Sequence, residues 1–392
     1  MNFSNRAGVL TKSETQEIND RAKELKRKGR DLVDLGAGDP KFREPEQALA
    51  AGKKAIKDGY TGYTEVGGNP NLKEAIKERY EKVFNVATEN LAVMATVGAK
   101  TALYEIDQLL YEEGDEVILP RPYWVSYAAQ VELTGAKPVF TSGDSNNHFL
   151  PTAADIAAKV TSATKGILIN SPSNPAGGVY NGKQKENILE LARKHELFLV
   201  SDECYDGFVY ERDRFQTLSS ADYENVLVVG STSKNFAMTG WRLGYILGNK
   251  KYVKELEKLQ SHLTSNPPAI SQKAGEAAFR NGLTLSRELR DQFKRKRNYL
   301  AEELSNFPGI VCPPPPGSFY LFPDVRELLL RLGYEGDQDG KLAKLFLERA
   351  GVVTVPGSAF GAPGHLRMAY IPEISRLREA INRIGNTLRN SL

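Results

Sequence analysis

The 392-residue sequence contains only two cysteines, Cys204 and Cys312, and it has no long apolar run. Two cysteines are too few for a disulfide framework, and these two lack the paired Cys and His spacing of a zinc site. We therefore expect reduced, inert thiols and no metal site. No segment approaches the roughly 20 consecutive apolar residues of a membrane span, and the first six residues lack the apolar part of a secretion signal. These shortages predict a cytoplasmic protein that is not held in a membrane.

The chain also lacks a strong charge of either sign. It has 52 lysines and arginines against 49 aspartates and glutamates, which gives a formal net charge of +3 at pH 7. Because these charges are spread along the chain, they form no extended basic region of the kind that binds nucleic acid. Hydrophobic residues make up 41% and charged residues 26%, which is ordinary for a soluble globular protein. With no internal repeat or low-complexity tract, the length predicts roughly two to three domains.

The most informative stretch follows a predicted buried strand. Residues 225–230, NVLVVG, form a short apolar run rich in β-branched residues, which indicates a strand of a parallel sheet. Lys234 follows at the carboxyl edge of that strand, where open α/β sheets bind their ligands. A lysine held there is partly desolvated, which favours the neutral amine that can condense with an aldehyde. Arg242 lies close by in the chain, and a planar guanidinium can close on a phosphate. The predicted ligand is a phosphorylated aldehyde.

Residues 231–245, STSKNFAMTGWRLGY, resemble the segment S-x-S-K-x-x-x-M-x-G-W-R-x-G-Y of class I/II aminotransferases, which are pyridoxal 5'-phosphate (PLP) enzymes of fold type I. Taken alone, a surface lysine and an arginine in a structural ion pair would be the ordinary interpretation. The resemblance implies instead that Lys234 carries the cofactor covalently. It also implies that Arg242 and Ser231, with Ser233 beside them, hold the cofactor's phosphate.

Two further segments are similar to cofactor-binding parts of this family. Gly98, Ala99 and Lys100 open the helix predicted after the strand at residues 91–97, and backbone N–H groups at a helix N-terminus form an anion site suited to phosphate. After the predicted strand at residues 116–119 comes Trp124, which in most proteins would be a core residue. In the family the matching aromatic ring stacks on the pyridine ring, so Trp124 is predicted to contact the cofactor.

The remaining cofactor contacts are predicted at two strand ends. Residues 171–178, SPSNPAGG, resemble the family turn N-x-P-x-N-P-T-G, which implies that Asn174 hydrogen-bonds the cofactor's phenolate oxygen. Asp202 ends the predicted strand at residues 197–201, where a carboxylate is either an ion-pair anchor or a functional group, and the nearby Lys234 strand favours function. The resemblance implies that Asp202 keeps the pyridine nitrogen protonated and that Tyr205 donates to the ring oxygen.

The predicted substrate contacts come from both ends of the chain. Residues 35–42 resemble L-x-x-G-[DE]-P-x-F, where the backbone around Gly38 approaches the substrate, although such a turn is ordinarily structural. Residues 360–370 resemble F-x-x-x-G-x-x-R-[LIM]-[SA]-[YF], which implies that Arg367 binds the substrate's α-carboxylate. The alternative for Arg367 is a salt bridge at a strand end. The predicted substrate site is completed by Trp124 and Asn174.

Substrate choice depends on Lys100. In the bacterial aspartate aminotransferase subgroup, a G-G-K triplet and an N-terminal P-S-x-T segment contact the substrate's distal carboxylate, and this chain keeps Lys100, Ser13 and Thr15 while Lys12 stands where proline is usual. A lysine in a first helical turn opposes the helix dipole unless an anion compensates it. That anion is the phosphate alone or the side-chain carboxylate of aspartate or glutamate, and we expect the dicarboxylate. Prephenate or an aromatic oxo acid is an alternative partner, and a neutral or aromatic amino acid is an alternative substrate.

The motifs occur in family order from Ser13 to the end of the chain. The resemblance therefore implies an α/β fold with a large PLP domain, residues 46–284, built on a mostly parallel doubly wound sheet, and a smaller α/β domain from residues 1–45 and 285–392. Tyr63 matches the tyrosine that reaches a neighbour's PLP phosphate, which implies a homodimer with shared active sites. Symmetric dimers are also the commonest soluble oligomers.

Outside the motifs, punctuation by proline and glycine sets the predicted boundaries. Four consecutive prolines at residues 313–316 cannot belong to a helix or a central strand, and they predict an exposed connection. A strand is predicted over residues 317–322 and another over residues 352–355.

The implied reaction moves the amino group of an L-amino acid to a 2-oxo acid and needs no metal. The cationic ring takes up electrons when the α-proton leaves, and Lys234 is the natural base. Two other classes share parts of the pattern. PLP-dependent β-lyases and synthases keep Lys234, Asp202 and Arg367. PLP-binding regulators carry DNA-binding helices, for which the about 30 residues before the first strand are too few.

Overall fold

The computed structural model describes residue 8 and residues 14–40, 42–211, 215–220 and 222–391, with the backbone alone at residues 14–16, 19 and 220. The helices, numbered in chain order, are α1 Glu14–Arg27, α2 Glu46–Lys57, α3 Pro70–Phe84, α4 Ala99–Leu110, α5 Ser126–Thr134, α6 Ala153–Ala157, α7 Gly182–Lys194, α8 Thr232–Asn235, α9 Lys250–Leu263, α10 Ala269–Asn281, α11 Leu283–Ser305, α12 Arg326–Arg331, α13 Asp339–Leu345 and α14 Ile374–Arg389. Within these described ranges, no helix has the length and apolar character needed to cross a membrane.

The strands are β1 Val33–Asp34, β2 Leu91–Thr96, β3 Glu116–Arg121, β4 Lys137–Ser142, β5 Thr164–Asn170, β6 Phe198–Asp202, β7 Val226–Ser231, β8 Gly244–Asn249, β9 Tyr320–Leu321, β10 Val352–Val353, β11 Val355–Pro356 and β12 Leu366–Ala369. Seven of them form one large sheet in the order β2-β8-β7-β6-β5-β3-β4. β8 runs antiparallel to both of its neighbours, and the other strand pairs are parallel. The predicted mostly parallel sheet is confirmed.

Alternating apolar side chains cover both faces of this sheet. In β7, Val226 and Val228 pack into one buried cluster, whereas Leu227 and Val229 pack into another on the opposite face. Successive side chains of a strand point to opposite faces, so an unbroken apolar run must be covered on both sides. Helices α2, α3, α7 and α10 cover the first face, and α4, α5 and α9 cover the second. The doubly wound α/β fold is confirmed.

A third buried cluster joins the two ends of the chain. Strand β1 pairs in parallel with β10, and β11, β12 and β9 form a small antiparallel sheet. Val33 from β1 packs in the same cluster as Phe293 of α11, Met368 of β12 and Ile384 of α14. This arrangement agrees with a small unit built from both termini, while its boundaries at residues 45 and 285 stay a prediction.

Two expectations about the segment after α11 are only partly met: Pro313 and Pro314 are exposed, as predicted for the connection at residues 313–316, but the two prolines after them are not. Pro315 and Pro316 are buried, and their carbonyls accept hydrogen bonds from Arg297 Nη1 at 2.8 Å and from the Tyr210 N–H at 2.9 Å. Only Tyr320–Leu321 of the predicted strand at residues 317–322 is a strand. Before it, the N–H groups of Gly317 and Ser318 donate to Gly177 and Phe208, and Gly317 forms only an isolated antiparallel bridge with Val209. The predicted strand at residues 352–355 is likewise split into β10 and β11.

Candidate active site

A cavity of about 610 Å³ lies at the carboxyl ends of β5, β6 and β7. This volume is in the range of sites for small molecules and cofactors. The side chains at its wall are contributed by loops from both ends of the chain as well as by the sheet. The predicted residues that line it are Gly38, Ala99, Lys100, Trp124, Asn174, Asp202, Tyr205, Ser231, Ser233, Lys234, Arg242 and Arg367.

Lys234 lies in α8, the single helical turn that follows β7. Ser231 ends the strand and caps this turn, because its hydroxyl oxygen accepts a hydrogen bond from the Ser233 N–H at 3.3 Å. The Lys234 amine donates to the carbonyl of Gly38 at 2.6 Å. A Cβ atom at Gly38 would lie 2.1 Å from the hydroxyl of Tyr320, so only glycine lets this turn come so close. In the described part of the chain, no carboxylate pairs with Lys234.

Asp202 ends β6 as a buried carboxylate. Its Oδ2 accepts a hydrogen bond from the Tyr127 hydroxyl at 2.7 Å, and its Oδ1 accepts one from the Cys204 N–H at 3.0 Å. Burial raises the pKa of Asp202, and the bonds from Tyr127 and Cys204 oppose that rise. A buried carboxylate held by neutral donors and lining a cavity is suited to a cationic ligand atom.

Tyr205 lies three residues after Asp202, and its hydroxyl is 3.1 Å from the hydroxyl of Tyr320. Burial raises the pKa of Tyr205 well above its usual value, with a further rise from Tyr320. The phenol is therefore neutral over the ordinary pH range. It can donate its proton in a hydrogen bond to an anionic oxygen in the cavity.

A group of cations surrounds the N-terminus of α4. Gly98 caps this helix with a positive φ of 82°, and a Cβ there would lie 2.6 Å from Arg242 Nη2. Arg242 donates to the Thr239 carbonyl at 2.9 Å. The Lys100 amine lies 4.8 Å from the Trp124 ring, and the pKa of Lys100 is lowered by burial and by the nearby charge of Arg242. Two cations beside a helix N-terminus form a site for an anion.

Arg367 lies on β12 and is 8% exposed. Its Nη2 donates to the Gly36 carbonyl at 2.6 Å and its Nη1 to Asn174 Oδ1 at 3.0 Å. The guanidinium carbon lies 4.5 Å from the ring centre of Tyr320. Nε is buried and has no hydrogen-bond partner among the described residues, and none of their carboxylates forms an ion pair with Arg367. No described residue therefore supports the alternative of a strand-end salt bridge, and the guanidinium keeps donors for an anion.

Four predicted residues are absent from the described lining of this cavity. Gly98 caps α4 next to Ala99 and Lys100, which do line it. Ser13 lies outside the described residues, and Thr15 is described only as backbone within α1, so their contacts with a substrate stay predictions. The α1 residues that do line the cavity include Lys23 and Lys26. Tyr63 is 92% exposed and does not line the cavity of its own chain, and its contact with a neighbouring chain stays a prediction.

Two tyrosines of the site were missed by sequence reasoning. Tyr127 holds Asp202, and Tyr320 contacts Tyr205 and Arg367. The Tyr127 N–H donates to the Trp124 carbonyl in the turn that opens α5, so its closeness in sequence to Trp124 was the available signal. Tyr320 had no comparable signal, because its partners lie far away in the chain.

No cluster of three or more histidine, cysteine, aspartate or glutamate side chains suited to a metal ion occurs in the described ranges. The polar groups at the cavity are amines, guanidinium groups, amides, hydroxyls, one thiol and the carboxylates of Asp34, Asp39 and Asp202, of which only that of Asp202 is buried.

Comparison with known proteins gives one consistent result. The family model described as aminotransferase class I and II matches residues 30–384. The chain is 40% identical over 387 residues to an aspartate aminotransferase of Geobacillus stearothermophilus, with 98% of each chain covered. It is 39% identical over 391 residues to a probable aspartate/prephenate aminotransferase of Aquifex aeolicus, again with 98% of each chain covered. The crystal structure of the aspartate aminotransferase of Rhizobium meliloti superimposes with a TM-score of 0.93 at 34% identity, covering 99% of both chains.

Proposed function

Because this chain belongs to the class I and II aminotransferases, we propose that it binds PLP at Lys234 and transfers the amino group of aspartate or glutamate to a 2-oxo acid. The observation that carries the proposal is the buried guanidinium of Arg367, which lines the same cavity as Lys234 and has no carboxylate partner among the described residues. A cation left in this state is suited to a carboxylate ligand.

The residues at the cavity fit PLP. Its phosphate would be held by the N-terminus of α4 together with Arg242, Ser231 and Ser233. A side chain at position 98 would collide with Arg242 there, so the glycine keeps this space open. Asp202 is a buried carboxylate suited to a protonated ring nitrogen, and Tyr205 and Asn174 are suited to the ring oxygen. The Trp124 ring would pack against the pyridine ring. Lys234 supplies the amine.

PLP, when bound, supplies an aldehyde that condenses with amines and a ring that takes up the electrons released at the substrate's α-carbon. Arg367 would bind the α-carboxylate and so orient the substrate in the cavity. The Lys234 amine is the base that removes the α-proton. Asp202 holds the proton on the ring nitrogen, and Tyr127 keeps Asp202 in place through its 2.7 Å hydrogen bond.

The dicarboxylate specificity is supported by Lys100 and by the relatives named aspartate aminotransferase. Lys100 lies at the cavity without a carboxylate partner among the described residues, although the phosphate could also serve as its anion. The relative in Aquifex aeolicus is named for prephenate as well as aspartate, so prephenate is the alternative acceptor class.

Covalent attachment tests the cofactor assignment directly. After PLP is added, borohydride reduction and peptide mapping should place the pyridoxyl group on Lys234, because it is the one lysine in the segment from β7 to Arg242. Adding aspartate before reduction should convert the bound cofactor to pyridoxamine phosphate, which is seen in its absorbance. A label on Lys100 would contradict the assignment, and elimination products without pyridoxamine phosphate would indicate a lyase.

The exposed Tyr63 supports a homodimer in which each chain completes its neighbour's site. Mixing an inactive Lys234→Ala chain with an inactive Tyr63→Ala chain should then restore part of the activity, because one hybrid site contains both native residues. An active monomer in sedimentation would contradict this arrangement.

A further inference from the structure

We propose that Asp34 is a positioning residue for substrate binding, and that it acts on Arg367 through the peptide bond between Gly36 and Ala37. The inference rests on the proposed function, in which Arg367 binds the α-carboxylate. Asp34 is the last residue of β1 and lines the same cavity as Arg367. No motif in the sequence singles it out.

The contact is a relay through one planar peptide. Asp34 Oδ1 accepts hydrogen bonds from the N–H groups of Gly36 and Ala37, each at 3.1 Å. The peptide bond between Gly36 and Ala37 is trans, so its C=O and N–H point in opposite directions. Because Asp34 holds the N–H, the Gly36 carbonyl must point the other way. There it accepts the 2.6 Å hydrogen bond from Arg367 Nη2.

The backbone on the N-terminal side of this peptide is already anchored. The Leu35 N–H donates to Val353 at 3.0 Å, and the Leu35 carbonyl accepts from Ala369 at 2.6 Å. Ala369 lies on β12 two residues after Arg367. The strands therefore fix where the turn lies, and the free variable is the rotation of the peptide after Gly36. The two bonds to Asp34 remove that freedom.

A relay has an advantage over direct contact between Asp34 and Arg367. The acceptors that hold the guanidinium are the Gly36 carbonyl and Asn174 Oδ1, and both are neutral. A carboxylate in direct contact would neutralise Arg367 and compete with the substrate for its N–H groups. Through the peptide, the carboxylate of Asp34 orients Arg367 while the charge stays available for the ligand.

Asp34 also pairs with Lys26 of α1, at 3.2 Å between Nζ and Oδ2. The Lys26 side chain is 44% exposed and that of Asp34 24%, and an ion pair so open to water contributes little. The two roles use different oxygens, so they can be separated by substitution. Asp34→Asn keeps a side-chain oxygen for the two N–H groups and loses the ion pair, and Lys26→Met removes the ion pair alone.

The test compares these variants in the PLP-loaded enzyme. For Asp34→Ala we expect the KM for aspartate to rise about tenfold, the scale of a hydrogen-bonding network lost at a charged group, with kcat changed by less than about threefold. Succinate, a dicarboxylate that cannot react, gives a readout independent of turnover, and its dissociation constant by calorimetry should rise by the same factor. Asp34→Asn should stay within about threefold of the wild type in both measurements, and Lys26→Met should change both by less than Asp34→Ala does.

Two results would overturn the inference. One is unchanged succinate affinity in Asp34→Ala, and the other is a loss in Asp34→Asn as large as in Asp34→Ala, which would assign the effect to the charge and Lys26. If Asp34→Ala does not fold, Asp34→Val provides the same comparison with a branched side chain suited to a strand. A wild type that neither transaminates aspartate nor binds succinate would instead refute the proposed function.

Discussion

Two buried arginines of this protein differ in their partners. Arg79 of α3 is 4% exposed and forms an ion pair with Asp206 at 2.7 Å. Arg367 is 8% exposed and is held by a backbone carbonyl and an amide oxygen, with no carboxylate partner among the described residues. An arginine cannot lose its proton to escape burial, so its charge must be matched by the protein or by a ligand.

The difference separates a structural from a functional arginine. Asp206 also accepts a hydrogen bond from the side chain of Asn235, the residue after Lys234. The ion pair of Arg79 and Asp206 therefore helps to hold α8, the helical turn that contains Lys234. Arg367 lies at the cavity instead, where no carboxylate of the described residues pairs with it, and under the proposed function its charge is available for the carboxylate of a substrate. The two positions should therefore respond to substitution in opposite ways.

The largest effect is expected for stability at Arg79. Arg79→Met leaves Asp206 buried without its cation, so the free energy of unfolding should fall by about 3 to 5 kcal/mol, measured by urea denaturation. Arg79→Met combined with Asp206→Leu removes both charges and should recover most of the loss. If the single variant is as stable as the wild type, the structural role of the pair is refuted.

Arg367 should show the reverse pattern. For Arg367→Leu we expect kcat/KM for aspartate to fall by the equivalent of about 2 to 5 kcal/mol, because the substrate carboxylate loses a buried charged partner. The free energy of unfolding should not fall, since an unmatched buried charge has been removed. Arg367→Lys keeps the charge without the bidentate geometry and should lie between the two. A stability loss like that of Arg79→Met would remove the distinction between the arginines.

A buried carboxyl extends the comparison, because it can neutralise itself. Glu105 of α4 is fully buried, neither of its oxygens has a partner among the described residues, and burial raises its pKa from 4.5 to about 8. The folded state therefore binds this proton more tightly than the unfolded chain does. The resulting stability is complete below pH 4.5 and is lost as the pH rises through about 8.

Glu105→Gln isolates this effect. At pH 9 the variant should exceed the wild type by about 2 to 3 kcal/mol in the free energy of unfolding, since the ionised carboxylate can relax partly toward water. Near pH 4.5 the two proteins should be equally stable. Urea denaturation at both pH values measures the difference, and a gap independent of pH would show that Glu105 is ionised when buried.

The smallest effect is expected at Lys100, an exposed cation beside the ring of Trp124. Lys100→Leu should lower kcat/KM for aspartate by about 1 to 3 kcal/mol, the scale of a lost charged hydrogen bond, and leave alanine and phenylalanine nearly unchanged. Steady-state assays with the three amino acids measure this selectivity. An equal loss for all three would assign Lys100 to the cofactor and end the argument for dicarboxylate specificity.

Local features of the site were predictable from the sequence. The apolar run at residues 225–230 became β7, and Lys234 follows it as expected. Gly98 caps α4 with a φ of 82°, which glycine adopts without strain. Its lack of a Cβ leaves room for the Arg242 side chain. These predictions succeed because strand periodicity, helix capping and glycine geometry depend on a few neighbouring residues.

Contacts between distant residues were not predictable in this way. The burial of Pro315 and Pro316, the hold of Tyr127 on Asp202, and the relay from Asp34 all depend on segments that meet only in the folded chain. Hydrophobic periodicity and the positions of proline and glycine contain no information about such tertiary contacts. The four prolines therefore predict an exposed connection over their whole length, and no local pattern points to Asp34.

The sequence by itself determined the chemical groups of the candidate site. They are one lysine after a buried strand, a carboxylate at the end of the neighbouring strand, and arginines that can bind anions. Only the tertiary structure decided which arginine has a carboxylate of the protein as its partner. Arg79 meets Asp206 across 127 residues of sequence, and Arg367 meets the Gly36 carbonyl across 331. The reason is physical: the state of a buried charge depends on the distance to its partner in space, and that distance is set by how the sheets and both chain ends pack together.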